Sequence, residues 1–462
     1  MMKYPVAFLL FFALSACQTE LPQPVTAEPA EAPTVDARIL SGGKATVFDR
    51  TREAFSHRIP GTELTERTHF FTGESLFDQN WIAAPASTVA RDGLGPLFNA
   101  RSCAACHGKD GRSNPFLNDE ATEPAQALLV RLSEIGTDSH PELGGQLHPF
   151  ALPKLEGEGQ IQIQWQSQTG TYTDGTTYTL QKPQFTLPIT GEALQFSVRQ
   201  SPQLVGLGLL EQIAESDIMS QADPEDTNGD GISGRPNRVW NVLAQQNTLG
   251  RFGWKANQPT VKQQVAGAFN GDLGITTSLF PHDDTTPSQQ QVHEKAYEGP
   301  VPHGGEPELS DRLLERVTFY VQKLAVPARR DVNAPAVEQG EALFNQLQCQ
   351  KCHTPGYTLN TPEGTDTIRP YTDLLLHDMG PGLADQRPDF EATGQEWRTP
   401  PLWGIGLIET VNGHTRFLHD GRARNLTEAV LWHGGEAQAS QNAFKNLSLS
   451  EREALIAFLE SL

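Results

Sequence analysis

Cys103-Ala104-Ala105-Cys106-His107 and Cys349-Gln350-Lys351-Cys352-His353 repeat one pattern, C-x-x-C-H, and use all but one of the 5 cysteines in the chain. With 5 Cys and 13 His among 462 residues, accident supplies on the order of 10⁻³ such patterns. The pattern is the haem c attachment signature: two thiols bond the porphyrin vinyl groups, and the adjacent imidazole ligates iron from the proximal side. Cys103, Cys106, Cys349 and Cys352 are therefore expected to carry two covalently attached haem c groups, with His107 and His353 as iron ligands. Zinc knuckles of the C-x-x-C type stand about 15–20 residues apart, whereas these motifs lie far apart in the chain. A thioredoxin-type redox pair explains neither histidine.

The flanking sequence is duplicated as well. Leu97-Phe98-Asn99 precedes the first motif as Leu343-Phe344-Asn345 precedes the second, so a helix is expected to lead into each. Pro202-Gln203-Leu204-Val205-Gly206-Leu207-Gly208-Leu209-Leu210-Glu211 returns as Pro400-Pro401-Leu402-Trp403-Gly404-Ile405-Gly406-Leu407-Ile408-Glu409. The first of these repeats stands further from its haem motif than the second, which implies an insertion. Residues 155–195 suit it: Ile161, Ile163 and Trp165 alternate with Gln, and Tyr172-Thr173-Asp174-Gly175-Thr176 reads as a turn between strands.

Each half closes with an amphipathic helix, Leu313, Leu314, Val317, Tyr320, Val321 and Leu324 in one and Leu455, Phe458, Leu459 and Leu462 in the other. Ser448 and Glu451 form a capping box for the last helix. The expected fold class is mainly α: two cytochrome c-like haem domains, residues 38–326 and 335–462, joined by a linker over 327–334, with a small β-hairpin insertion in the first.

Lys3 precedes an apolar stretch from Val6 to Leu14, short of the ~20 residues that span a bilayer. Residues 1–16 read as an export signal. Leu14-Ser15-Ala16-Cys17 resembles the lipobox of bacterial lipoproteins, which implies acylation of Cys17, and Gln18 after it implies sorting to the outer membrane. Pro22, Pro24, Pro29 and Pro33 make 17–37 an extended tether. The expected location is periplasmic, with membrane contact through the lipid anchor only. Lys and Arg total 35 against 56 Asp and Glu, a net charge of −21 without a basic run, which argues against nucleic acid as a partner.

Asp226-Thr227-Asn228-Gly229-Asp230-Gly231-Ile232-Ser233-Gly234 has side-chain oxygens at loop positions 1, 3 and 5, glycine at 6 and the Ile232 carbonyl at 7, the opening of a calcium loop of EF-hand type. Asn237 stands where the bidentate Glu belongs, so calcium over 226–237 is expected to bind at the weak end, about 10⁻⁴–10⁻³ M. A solvated turn of the same residues is the alternative.

Together with the two haem motifs, Gly93-Leu94-Gly95-Pro96, Gly250-Arg251-Phe252-Gly253-Trp254-Lys255-Ala256 and His419-Asp420-Gly421-Arg422 resemble the di-haem oxidoreductase family. That family is described as thiol oxidoreductases and is similar to bacterial di-haem cytochrome c peroxidases. The resemblance covers residues 60 to 462 and implies electron movement between two haems, a redox partner protein such as a cytochrome, and peroxide as a small-molecule substrate at the N-terminal haem.

In the peroxidases a methionine, fourteen residues after the histidine of a His-Asp-Gly stretch, ligates the C-terminal haem; here that position is His433. Met379 is its rival, with His377 and His419 behind it. The first haem has no equivalent ligand, so an open distal side is expected, with Glu211, His140, His148 and Lys255 as candidate catalytic groups. The Phe-Trp-Asp-Gly-Arg stretch that carries the peroxidases' intervening tryptophan is missing, which leaves Trp240, Trp254 and Trp403 as substitutes. The alternative function is a non-catalytic periplasmic electron-transfer cytochrome with both haems six-coordinate. Thiol exchange is left without a cysteine once haem attachment and acylation are counted.

Overall fold

Two helix pairs make the frame, and in each a glycine sets how closely the partners approach. Leu64–Asp78 packs on Asp311–Gln322, and Pro335–Gln346 packs on Leu449–Ser461. A Cβ on Gly73 would lie 2.1 Å from the Arg316 carbonyl oxygen, and one on Gly340 would lie 2.0 Å from that of Ala454. The sequence repeat has the same cause: a Cβ on Gly208 would meet the Gln322 oxygen at 2.2 Å, and one on Gly406 would meet that of Glu460 at 2.0 Å. Both closing helices thus receive backbone at van der Waals range from two directions. Capping boxes at Glu63/Glu66 and Ser448/Glu451 start the first and last of these helices.

The computed structural model describes residues 1–2, 35–116, 122–124, 127–362 and 364–462. The expected export signal, Cys17 and the tether as far as residue 34 lie outside the described residues, apart from residues 1–2. Residues 37–462 form one compact unit. Its main apolar core draws on both haem-motif halves, with Phe55, Phe70 and Tyr320 from one and Trp403, Phe444 and Phe458 from the other. The stretch after the first closing helix is buried in that unit: Val326–Pro327 pairs in parallel with Thr46–Val47, and Arg329 holds Glu341 at 2.9 Å. No helix among the described residues is long and apolar enough to cross a membrane.

The expected mainly α fold class is corrected by the structure, which is 30% helical and 19% strand. That strand content is divided among seven small sheets in the described residues. Helix is concentrated in the frame, while the chain that wraps the two motifs runs extended, and buried extended backbone needs a strand partner for its N–H and C=O groups. Leu128–Glu134 pairs with Leu194–Gln200 and buries Val130, Leu132 and Val198 in a separate core with Leu147, Ile161 and Leu187. Tyr357–Thr361 pairs with Gly364–Ile368, and Leu376–Asp378 with Glu396–Arg398.

A second correction concerns the helices leading into the motifs. Leu343 and Phe344 do lie in Pro335–Gln346, but Leu97–Phe98 is a two-residue strand paired with Phe150–Ala151. Gly95 and Pro96 precede it, and Gly95 packs so tightly that a Cβ would lie 2.2 Å from the Gly274 oxygen. Leu64–Asp78 is the helix equivalent to Pro335–Gln346.

Gln162–Thr171 and Thr177–Thr186 form a hairpin around the turn at 172–176. Its tip is tied to the last helix: Asp174 pairs with Arg452 at 2.8 Å, and the Arg452 guanidinium lies 3.9 Å from the centre of the Tyr172 ring.

Gly340→Ala forces the Pro335–Gln346 and Leu449–Ser461 helices apart and is expected to cost about 1–3 kcal/mol in urea unfolding. Gly145→Ala, where a Cβ meets nothing within 4 Å, is the control that leaves the midpoint in place.

Candidate haem sites

Cys103–Ala105 is one 3-10 turn, and the His107 N–H reaches back to the Cys103 oxygen at 2.9 Å, so both thiols and the imidazole face one space. His107 Nδ1 donates to the Pro202 carbonyl at 2.9 Å, which leaves Nε2 as the bare, electron-donating nitrogen. Desolvation holds this imidazole down at about 4, so it is neutral. Asp110 fastens the motif to the frame: its carboxyl accepts from Tyr320 Oη and Ser56 Oγ, both at 2.7 Å. Burial pushes that carboxyl up to about 7.

The first motif opens on a cavity of about 390 Å³ walled by Phe77, Val317 and Val321 of the frame and by Gln264, Phe269 and Asp272 of the helix Val261–Leu273. Among the described residues, His107 is the one imidazole in that wall, and no methionine lines it. Gln258 presents a buried Oε1 with no hydrogen-bond partner among the described residues. Gln146 donates to Asp272 Oδ1 at 3.0 Å, while desolvation pushes the Asp272 carboxyl above its ordinary range.

The second motif repeats the arrangement. The His353 N–H bonds the Cys349 oxygen at 2.9 Å, and its Nδ1 donates to the Tyr371 carbonyl at 3.0 Å. Across from it His433 donates Nδ1 to the Ala429 carbonyl at 2.7 Å, one turn back along Leu426–Leu431. Desolvation lowers His353 to about 4 and lowers His433 too, so both imidazoles are neutral. Their ring centroids are 6.5 Å apart. Two metal–imidazole bonds of about 2.0 Å, with about 1.1 Å from each nitrogen to its ring centre, give about 6.2 Å, so the spacing of these rings would admit one iron between them. The cavity here is about 180 Å³, less than half the first.

The rival ligands also line this second cavity. His377 is clamped, Nδ1 donating to Glu436 at 2.6 Å and Nε2 donating to Asp373 at 2.8 Å. Against the cost of burial, Asp373 and then Cys352 raise its value well above that of an ordinary histidine, and with both nitrogens donating to carboxylates the ring has no lone pair to offer a metal. Cys352, Asp373 and His377 thus have metal-site spacing, but Glu436 turns the trio into an ion-pair clamp. His419 stacks face to face on Trp397 at 3.7 Å. Met379 lines the wall half-buried.

The donor set fits haem. All four motif cysteines are free, and burial raises their thiols, Cys106 and Cys349 to about 12, opposite to the low values that redox-exchange thiols need. Apolar walls and neutral imidazoles with one free nitrogen complete what a porphyrin requires.

The four residues considered as catalytic lie outside both cavity walls. Glu211 accepts from the Val261 N–H and from Gln322, capping the helix Val261–Leu273. His140 accepts from the Glu142 and Leu143 N–H groups in a turn. His148 donates to the Gly271 carbonyl and sits 3.4 Å from Glu158. Lys255, fully buried, donates to Asp385 and to the Arg387 and Thr393 carbonyls.

Of the three tryptophans, Trp254 lines both cavities, Trp240 is 43% exposed on a hairpin, and Trp403 is buried outside either wall. Arg112, Gln203, Arg398, Pro400 and Pro401 share that common wall with Trp254. Sequence reasoning passed over Arg112 and Arg398. Arg398 stands two residues before the repeat at Pro400, which is the signal that could have found it.

In the 226–237 loop, Asp226 accepts from the Gly231 N–H at 3.1 Å and Asn228 from that of Asp230 at 2.9 Å. Asp230 reaches Lys351, inside the second haem motif, at 2.8 Å. Asn237 is buried and gives its amide to the Lys255 and Asp389 carbonyls, away from the loop's side-chain oxygens.

Residues 35–139 and 150–462 match the model of a protein family described as "Di-haem oxidoreductase, putative peroxidase". No curated protein and no solved structure gives a significant match.

Asp110 ionises near 3.8 when unfolded but keeps its proton to about 7 in the fold. Across that window the unfolded chain has released a proton that the folded one holds, so this group makes stability fall as pH rises. Asp110→Asn removes its share, and the wild-type loss relative to the variant, read from urea unfolding at low and neutral pH, is expected to reach about 4 kcal/mol. Lys255→Met leaves Asp385 buried alone and is expected to cost about 3–5 kcal/mol in the same assay, without loss of haem from the folded protein.

Proposed function

The chain belongs to the di-haem oxidoreductase family, and from that premise we propose that it passes electrons between two covalently attached c-type haems and reduces peroxide at the first. The inequality of the two cavities carries this reading. The facing imidazoles of His353 and His433 support a six-coordinate, low-potential electron-transfer centre at the second haem. The larger first cavity, with His107 as its one imidazole and no thioether, supports an iron with one side open to substrate.

Bound haem supplies one-electron chemistry and an exchangeable position on iron. The protein supplies the rest. Pro202, Tyr371 and Ala429 orient the three imidazoles through their carbonyls. Phe269, Leu273 and Phe280 exclude water from the first cavity. Asp272, its carboxyl pushed above the ordinary range by desolvation, is the acid this wall offers for proton relay. Trp254, common to both walls, bridges the haems. The carrier reading, with both irons six-coordinate, needs a second strong ligand at the first haem, and among the described residues that wall offers no second imidazole and no thioether for it.

In this proposal the protein is exported, held at the membrane by a lipid on Cys17, and works in the periplasm with a redox partner such as a cytochrome, its net charge of −21 attracting a basic surface. Calcium binds weakly through Asp226, Asn228, Asp230 and the Ile232 carbonyl, in competition with Lys351 for Asp230.

Electron paramagnetic resonance of the oxidised protein is expected to show one high-spin and one low-spin ferric signal. Two low-spin species, persisting after one-electron reduction, return the protein to the carrier reading. His433→Gly is expected to convert the low-spin signal to high spin; an unchanged spectrum removes His433 as a ligand.

A further inference from the structure

A buried guanidinium with no counter-charge is costly enough that proteins rarely keep one. Lys255, Arg199, Arg329, Arg422 and Arg452 obey the rule, each meeting a carboxylate within 3 Å. Arg330, bonded only to backbone oxygens at the end of the chain, meets no side-chain carboxylate but lines neither cavity; within the cavity walls, Arg112 and Arg398 break the rule. They are 5% and 7% exposed, and neither reaches a carboxylate among the described residues.

Arg112 Nη2 donates to Gln200 Oε1 and to the Leu418 carbonyl, both at 2.8 Å, while its Nε is buried with no partner among the described residues. Arg398 donates only to carbonyls, Nε to Gly253 at 2.8 Å and Nη1 to Thr399 at 3.1 Å. Both stand in the wall common to the two cavities. Desolvation lowers Arg112 to about 9.

The missing anions have an obvious chemistry. Thioether bonds hold the vinyl side of a porphyrin against its C-x-x-C turn, so the two propionates leave from the opposite edge. Each cavity is lined both by the cysteines of one motif and by the two arginines. We propose that Arg112 and Arg398 receive propionate carboxylates from both haems, so that the two porphyrins turn their acidic edges toward one another across the shared wall. The proposal rests on the two-haem reading above. It gives the pair a second role, since cations at this edge stabilise the electron-richer state of each haem and raise its reduction potential.

The test uses the holoprotein, with haem content read by mass and potentials by spectroelectrochemical titration. Arg112→Gln and Arg398→Gln are expected to retain two haems and to shift the reduction potentials downward; Arg112→Lys and Arg398→Lys, which keep the charge, shift them less. Arg329→Gln, away from both cavities, leaves them unchanged. Two bound haems with unmoved potentials in both Gln variants overturn the proposal, whereas wild-type protein without haem overturns the two-haem reading instead. Should a Gln variant fail to fold, a crystal structure of the wild-type holoprotein decides: a guanidinium within about 4 Å of a propionate supports the assignment, and neither arginine at that distance refutes it.

Discussion

The hydrogen bond from an imidazole Nδ1 to a backbone carbonyl is the interaction on which both sites depend. His107, His353 and His433 each make one, to Pro202, Tyr371 and Ala429. It settles the tautomer, sets the ring plane and leaves one nitrogen bare inside a desolvated space. The frame exists to hold those carbonyls still. Pro202 opens the glycine repeat that lies on the Asp311–Gln322 helix, and Ala429 belongs to a short helix capped by Asn425. His377 shows the opposite outcome, since two carboxylates take both of its nitrogens and convert a possible ligand into a buried cation.

The family was more legible than the fold. C-x-x-C-H compresses attachment and ligation into one turn, so its local spacing survives whatever the rest of the chain does. The duplication was legible for a physical reason, because Gly208 and Gly406 leave no room for a side chain against the closing helices. The mainly α expectation failed by extending the motif-flanking helices over connecting chain. Strands such as Leu376–Asp378 and Glu396–Arg398 have only three residues each, too few for alternation to declare itself. Leu128–Glu134 and Leu194–Gln200 were long enough, and Val130, Leu132, Phe196 and Val198 carry the period-two signal there. Groups around the first cavity stayed hidden because a distal wall is assembled from distant segments, and Asp272, Gln258 and Arg112 share no local motif.

Each site is finished by the other half of the chain. Asn412 donates to the Gly108 carbonyl at 2.7 Å and accepts from the Arg112 N–H at 3.0 Å, holding the exit of the first motif. In return, Ile232 lines the second cavity, Asp230 pairs with Lys351 and Ser233 binds Glu436. The common core and the Asp174–Arg452 tie make the same point mechanically. Duplicated ancestry is visible in the glycines, yet the two copies are no longer separable parts.

That interlocking bears on biogenesis. The four thiols line cavities whose walls come from segments hundreds of positions apart. On the covalent reading proposed above, porphyrin joined to a chain still open would give those walls a bulky apolar body to condense around. On that same reading, cofactor supply would set the yield of native protein, because a chain without its porphyrin lacks the filling its walls are built around.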